Sequence, residues 1–164
     1  MTARFALRDV VRQDVPRIST MNLAAVPAVN EVHEEFLAQF IGNSLYFRVV
    51  SVDDRIVAFL LVLGPGHDYE SLNYRFFAAR HDRFAYVDRI VVDERHRGGG
   101  LGKTLYNDLF DAVRGMAAVV CCEVNTRPPN PESRAFHDCL GFIEVARQET
   151  EFGRKEVALL ERPI

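Results

Sequence analysis

Three cysteines in 164 residues are too few for a disulfide framework, and their placement has no zinc spacing. Cys121 and Cys122 are adjacent, and with Cys139 they sit within apolar runs, as small buried residues of a reducing compartment would. An excess of basic charge is lacking too. The net charge is −3, so nothing marks the chain as one that neutralises a phosphate backbone, and a nucleic-acid partner is not expected. No apolar run approaches the ~20 residues that span a bilayer. Met1-Thr2-Ala3-Arg4-Phe5, followed by Arg8 and Asp9, is not the pattern of a secretory leader. No membrane contact and a cytoplasmic location are therefore expected. His33, His67 and His81 lie in polar segments, and no pair has helical ligand spacing, so no metal is expected. Repeats, low-complexity tracts and linkers are missing as well, and residues 1–164 read as a single domain with one core.

What is present is ordinary globular material, 48% hydrophobic and 26% charged. Phe5–Arg8 can start a strand. Asp14 predicts an N-cap, with Pro16 in the first turn of a helix running to about Ala25. Asn30 predicts the cap of a second helix, Glu31–Phe40, with Phe36, Leu37 and Phe40 on its apolar face. Tyr46–Val52, Asp53-Asp54 and Arg55–Leu63 read as a β-hairpin, stopped by Gly64-Pro65-Gly66. A short helix around Glu70–Ala79 precedes strand Phe84–Val92 and helix Leu101–Gly115. Strand Ala118–Val124 and helix Pro131–Leu140 come next. Strands Phe142–Glu149 and Glu156–Glu161, joined at Phe152-Gly153-Arg154, close the chain. This order predicts an α/β chain, an α+β mixed sheet with helices about it.

Residues 86–104 carry the most information. A strand-like run, Tyr86–Val92, passes through a charged bend into Gly98-Gly99-Gly100, and a helix opens at Leu101. Glycines there let backbone N–H groups converge, and the helix N-terminus adds partial positive charge, so the junction suits phosphate oxygens. Arg95 and Arg97 favour the same anion. A plain chain-reversing turn is the simpler alternative. Gly102-Lys103-Thr104 ends like the nucleotide-triphosphate loop G-x-x-x-x-G-K-[ST], but that loop needs Gly where Arg97 stands. It also needs the strand to run straight into it, whereas Asp93–Arg97 intervene, and the next strand offers Glu123 rather than a terminal Asp for magnesium.

Arg97, Gly100 and Gly102 match R-x-x-G-x-G instead, and at this point the chain resembles the GNAT superfamily of N-acetyltransferases. A second match is Asn130-Pro131-Glu132-Ser133-Arg134-Ala135-Phe136-His137-Asp138-Cys139-Leu140-Gly141-Phe142. It is similar to N-x-x-A-x-x-F-Y-x-x-L-G-F, with Ser133 for Ala and His137 for Tyr. Both motifs in this order, about thirty residues apart, form a specific signal. The resemblance implies the acyl-coenzyme A N-acyltransferase fold: a central, mostly antiparallel sheet with one splayed parallel strand pair, flanked by helices. It implies acetyl-coenzyme A as co-substrate, with pyrophosphate on Arg97, Gly98, Gly99, Gly100, Leu101, Gly102 and Lys103. It implies the pantetheine arm between strands 84–92 and 118–124, near Asn130 and Ser133, with the thioester carbonyl held by backbone N–H groups of Ile90, Val91 and Val92. Arg95 and His96 are candidates for the outer phosphates or plain solvated surface. The partners implied are a coenzyme A thioester and an amine acceptor, with a cationic amine and a homodimer as further expectations. An acyl-coenzyme A-binding module without turnover is the alternative.

Amine attack on a thioester needs a base, since an alkylammonium pKa near ~10 stands about three units, or ~4 kcal/mol, above neutrality. Asp88 is the first candidate. Strand alternation sets it on one face with Ile90 and Val92, and an acid in an apolar strand is costly unless paired or functional. An ion pair with Arg89 or Arg127 is the competing explanation. Glu123, in Val119–Val124, ranks second. Tyr86, on the same face as Asp88, can bridge through its hydroxyl. His137 stands where the resemblance implies a tyrosine that protonates the departing thiolate, and an imidazolium could do this. Contact with the coenzyme without proton transfer is the other reading. Asn130 serves as readily as a helix N-cap. Glu31, Glu34, Glu35, Asp68, Tyr69 and Glu70 line the segments where the resemblance puts the acceptor, though any single one reads more readily as solvated surface. Phe76 and Phe77 are candidates for a lid, a dimer contact or core packing.

Overall fold

A computed structural model describes Arg4–Ile164. Its strands are β1 (Phe5–Asp9), β2 (Tyr46–Val52), β3 (Arg55–Leu63), β4 (Phe84–Val92), β5 (Val119–Arg127), β6 (Ile143–Thr150) and β7 (Lys155–Pro163). The helices are α1 (Val15–Ala24), α2 (Glu34–Ala38), α3 (Leu72–Arg80), α4 (Leu101–Val113) and α5 (Pro131–Cys139). Strand order is β1-β2-β3-β4-β5-β7-β6, a seven-stranded mixed sheet. The β1/β2, β2/β3, β5/β7 and β6/β7 pairs are antiparallel, and β4/β5 is parallel. The mixed α/β architecture expected from the sequence is the one observed. Among the described residues, no helix is long and apolar enough to cross a membrane.

Two compact units can be distinguished. The first is the chain through Val62 with Arg89–Ala112. Its hairpin follows the sequence: β2 and β3 meet at Asp53 and Asp54, both left-handed at φ 50° and 63°, as a tight hairpin turn requires. Asp53 is tied to β1 by reciprocal bonds, its N–H donating to Arg4 O at 2.8 Å and its Oδ1 accepting the Arg4 N–H at 2.9 Å. Ile56–Leu63 is buried throughout, so β3 forms the floor of this core. Leu105, Tyr106, Leu109 and Phe110 give α4 one buried stripe. Asp108 accepts from Tyr46 Oη and Arg48 Nη1, both at 2.8 Å, fastening β2 to that helix.

Two expected caps have other duties in this unit. Asp14 starts α1 without a side-chain capping bond; its carboxylate accepts Arg8 Nη1 and Nη2 at 2.7 and 2.9 Å and the Val11 N–H at 2.9 Å. Asn30 does not begin a helix, and α2 starts only at Glu34. Asn30 instead serves the buried Arg89. Arg89 Nη2 donates to Asn30 Oδ1 at 3.0 Å, and Nη1 donates to Asn30 O at 3.2 Å and to Asn22 Oδ1 at 2.8 Å. Asn22 Nδ2 closes the ring on Asn30 O at 3.0 Å, and the guanidinium lies 5.1 Å from the Phe36 ring centre. A charge-assisted network at the wall of the core outweighs a cap on an exposed helix end.

The second unit is Leu63–Asp88 with Val113–Ile164. Here β5 is flanked by β7 along Val119–Arg127, so it extends three residues past its expected end at Val124. Helix α4 stops at Val113 rather than Gly115, whose φ is 78°. Helix α3 begins at Leu72 because Ser71 caps it, its hydroxyl accepting the Tyr74 N–H at 3.2 Å. Phe77 is fully buried and Phe76 half-buried, which makes Phe77 core. Cys121 and Cys122 are buried as expected, but Cys139 is exposed, because the last turn of α5 points its position to solvent.

Candidate functional site

In the first unit, the glycine segment forms an open cradle. After β4, Asp93 caps a single 3-10 turn (Glu94–His96), accepting the Arg95 N–H at 3.1 Å. Arg17 Nη2 holds that carboxylate at 2.7 Å and keeps its pKa below the usual range, so the charge of Asp93 is paired. Gly98 and Gly100 then adopt φ of 75° and 80°, where side chains are disfavoured, and nothing lies within 4 Å of a Cβ built at either. Gly100 O accepts the first bond of α4, from the Thr104 N–H at 2.9 Å. The N–H groups of Leu101, Gly102 and Lys103 precede that ladder and are the helix's orphan donors. No acidic residue occupies the first turn of α4. Arg95, Arg97 and Lys103 are exposed around it, although Arg97 Nε also donates to Val92 O at 3.3 Å. Open space, orphan donors and cations suit a polyanionic phosphate.

The backbone leading into the cradle adds donors. The Asp93 N–H bonds Val57 O of β3 at 2.8 Å. Successive N–H groups in a strand point to opposite edges, so those of Ile90 and Val92 face away from β3, whereas that of Val91 faces toward it.

In the second unit, the β4/β5 ladder comprises Phe84↔Val119, Ala85↔Val120 and Tyr86↔Cys121, although both strands continue beyond it. Two carboxylates follow that point. Asp88 Oδ1 accepts the Tyr69 hydroxyl at 2.6 Å. Glu123 accepts the Tyr86 hydroxyl on both oxygens, at 2.9 and 2.8 Å. Asp88 and Glu123 are each half-buried, while Tyr86 is wholly enclosed. Burial first, then the negative charges of Glu123 and Asp88 and the Tyr69 phenol, push the Tyr86 pKa well above its ordinary value. Tyr86 therefore remains a donor, and its hydroxyl reaches Glu123. The tyrosine stack links the two pairs, Tyr74 meeting Tyr69 and Tyr86 edge-on at 5.6 Å in each case. Arg127, one suggested ion partner of Asp88, binds Glu149 at 3.1 Å and Gly153 O at 2.8 Å. Arg89, the other, makes the asparagine ring described above.

On α5, Asn130 takes the capping role, its Oδ1 accepting the Ser133 N–H at 3.2 Å. His137 is buried, its Nδ1 2.7 Å from Ser133 O and 3.4 Å from Ser133 Oγ. A carbonyl only accepts, which puts the proton on Nδ1. Burial pulls the His137 pKa down, so the imidazole is neutral at neutral pH. Phe136 and Phe142 pack on its ring at 5.2 and 5.3 Å. The structure thus joins Asp88 and Glu123 into one tyrosine-linked group and packs the His137 ring against Phe136 and Phe142. Sequence reasoning placed Tyr69 on the acceptor side but missed its bond to Asp88, and missed Tyr74 altogether. No local pattern connects positions so far apart.

The sequence model described as Acetyltransferase (GNAT) family matches residues 17–142. A comparison with curated proteins gives no match. The fold is similar to the ribosomal-protein-S18-alanine N-acetyltransferase from Escherichia coli, at 20% identity and TM-score 0.74, covering 98% of this chain and 94% of that one. It is similar to Arabidopsis thaliana NAA60 in complex with acetyl-CoA, at 16% identity and TM-score 0.78, covering 98% and 100%. Arabidopsis thaliana Naa50, solved with a bisubstrate analogue CoA-Ac-MVNAL, matches at 14% identity and TM-score 0.76, covering 98% and 99%. The match to the family runs through β4, the glycine cradle and α5, and the chain belongs to the GNAT acetyltransferase family.

Proposed function

We propose that the protein transfers an acetyl group from acetyl-coenzyme A to a primary amine by direct attack on the thioester. Acetyl-coenzyme A supplies the activated acetyl group. The orphan N–H groups of Leu101, Gly102 and Lys103, with Arg97 beside them, hold its pyrophosphate. The N–H groups of Ile90 and Val92 point to the strand edge where a carbonyl oxygen gaining charge needs donors. Asp88 accepts the amine proton as the nitrogen attacks, so that the charge built on nitrogen is not carried into the product. The amine nitrogen forms the new bond to the carbonyl carbon, and the carbon–sulfur bond breaks. The thiolate leaves unassisted by His137, which is neutral and donates Nδ1–H to Ser133 O.

The observation that supports this reading most is Asp88 itself: a half-buried acid in an apolar strand, fixed by a phenol. Glu123 is the weaker candidate because Tyr86 occupies both its oxygens.

The test is thiol release from acetyl-coenzyme A across a panel of amines, with calorimetric binding of the coenzyme alongside. Asp88→Asn is expected to lower kcat by about 10²–10⁴ with binding intact, and Glu123→Gln by far less. Coenzyme binding with no turnover on any amine would favour a binding module. Absence of binding would sink the cradle assignment.

A further inference from the structure

Tyr69 is held more firmly than a half-exposed loop side chain needs. Residues 64–71 form neither helix nor strand. Tyr74 staples the front of this segment, its hydroxyl donating to Gly64 O at 2.7 Å and accepting the His67 N–H at 3.1 Å. Ser71 fixes the far end as the cap of α3. Between these anchors, Tyr69 O accepts from Arg75 Nε at 3.3 Å, and the Tyr69 ring meets Tyr74 edge-on at 5.6 Å. Backbone and ring are thus both restrained, at a cost in conformational entropy. The hydroxyl that this restraint aims reaches Asp88 Oδ1 at 2.6 Å, the length of a charge-assisted phenol–carboxylate bond.

We infer that Tyr69 is a positioning residue for acetyl transfer: its phenol sets the rotation of the Asp88 carboxylate that receives the amine proton. The inference rests on Asp88 acting as the base. An aspartate carboxylate turns through a broad range about its last torsion, whereas proton transfer needs the heavy atoms within about 2.6–3.2 Å. Holding one oxygen fixes the other. Tyr86 does the same for Glu123, but from inside the core, where it cannot be exchanged for another donor. Tyr69 does so from a loop, so the base can be tuned without touching the sheet.

The experiment is a cycle of Tyr69→Phe, Asp88→Asn and the double variant, measured with the fastest amine of the panel, with calorimetric coenzyme binding and Tm for each. Tyr69→Phe removes one oxygen and no ring contact. It is expected to lower kcat by roughly 10–100-fold, since misplacement of a reacting group by about 1 Å costs up to ~10²-fold. Acetyl-coenzyme A affinity should stay within about twofold and Tm within about 3 °C. In the Asp88→Asn background the same change should add nothing, because its effect passes through Asp88. An equal further loss in that background would overturn the inference, as would a kcat loss accompanied by weakened coenzyme binding. Wild-type kcat in Tyr69→Phe with Asp88→Asn impaired would overturn it while leaving Asp88 as the base. Wild-type kcat in Asp88→Asn would remove the base and the inference together.

Discussion

The segment Arg97–Gly102 and the pairs Tyr69–Asp88 and Tyr86–Glu123 are built from different parts of the chain. The cradle uses main-chain N–H groups and two glycines at positive φ, all within a few consecutive residues. The carboxylate group uses side-chain oxygens brought together over 19 and 37 positions. A site made of backbone withstands many side-chain changes but not a change of φ. A site made of side chains withstands changes of backbone sequence around it but not the loss of one oxygen. Substitutions should therefore divide the two by kind of effect: affinity for the coenzyme on one side, turnover and stability on the other.

The sharpest division is expected from Gly98→Val with Gly100→Val. Nothing lies within 4 Å of a Cβ at either position, so the cost is chiefly that of a β-branched residue at positive φ, about 1–2 kcal/mol per residue. Titration calorimetry should show acetyl-coenzyme A binding weakened by roughly 10–100-fold or more, with kcat at saturation within a few-fold of the parent. Loss of kcat with unchanged binding would erase the contrast. Tyr86→Phe comes next. It takes the phenol donor from Glu123 inside the core, at about 1–3 kcal/mol. The urea midpoint should fall accordingly while coenzyme affinity barely moves; a matching loss of affinity would mean that the two regions are not separable.

The smallest effect concerns protons. Burial holds the His137 pKa below the ordinary value of about 6.5. Below that pH the unfolded chain binds a proton that the folded chain resists, so stability declines as pH falls through the unfolded value and is unaffected above it. His137→Phe removes this titration. The Tm difference between pH 7.5 and 5.5 should therefore shrink in that variant, while in the cradle, whose cations are arginines and a lysine, Arg97→Ala should leave the difference unchanged. A larger acid loss in His137→Phe would contradict the assignment.

The contrast also explains what was legible in the sequence. The turn through Gly98 and Gly100 and the start of α4 at Leu101 were legible because glycines and a following helix are local signals. The hairpin at Asp53-Asp54 and strand β4 were legible for the same reason, with bounds identical to those observed. Asp14 was read correctly as the N-cap position of α1, but Asn30 misled because the cap preference is local, while Arg89 and Arg8, which claim the two side chains, act through the folded chain. The end of β5 was placed too early because Asn125, Thr126 and Arg127 are polar, yet pairing with β7 extends across them. Asp88 stood out as an acid in an apolar strand. Its phenol partner did not, since nothing in the spacing of Tyr69 indicates which carboxylate it will reach.

The Arg89 ring sets a rule for anyone redesigning this protein. Asn22 lies on α1 and Asn30 in the connection to α2, and both are bound by the guanidinium of the residue directly after Asp88. A library that varies residues 25–33 therefore needs Asn30 held constant, or varied jointly with Asn22 and Arg89. Randomising that connection alone would release a buried cation one position from Asp88, and losses of stability in such a library would be misattributed to the connection itself.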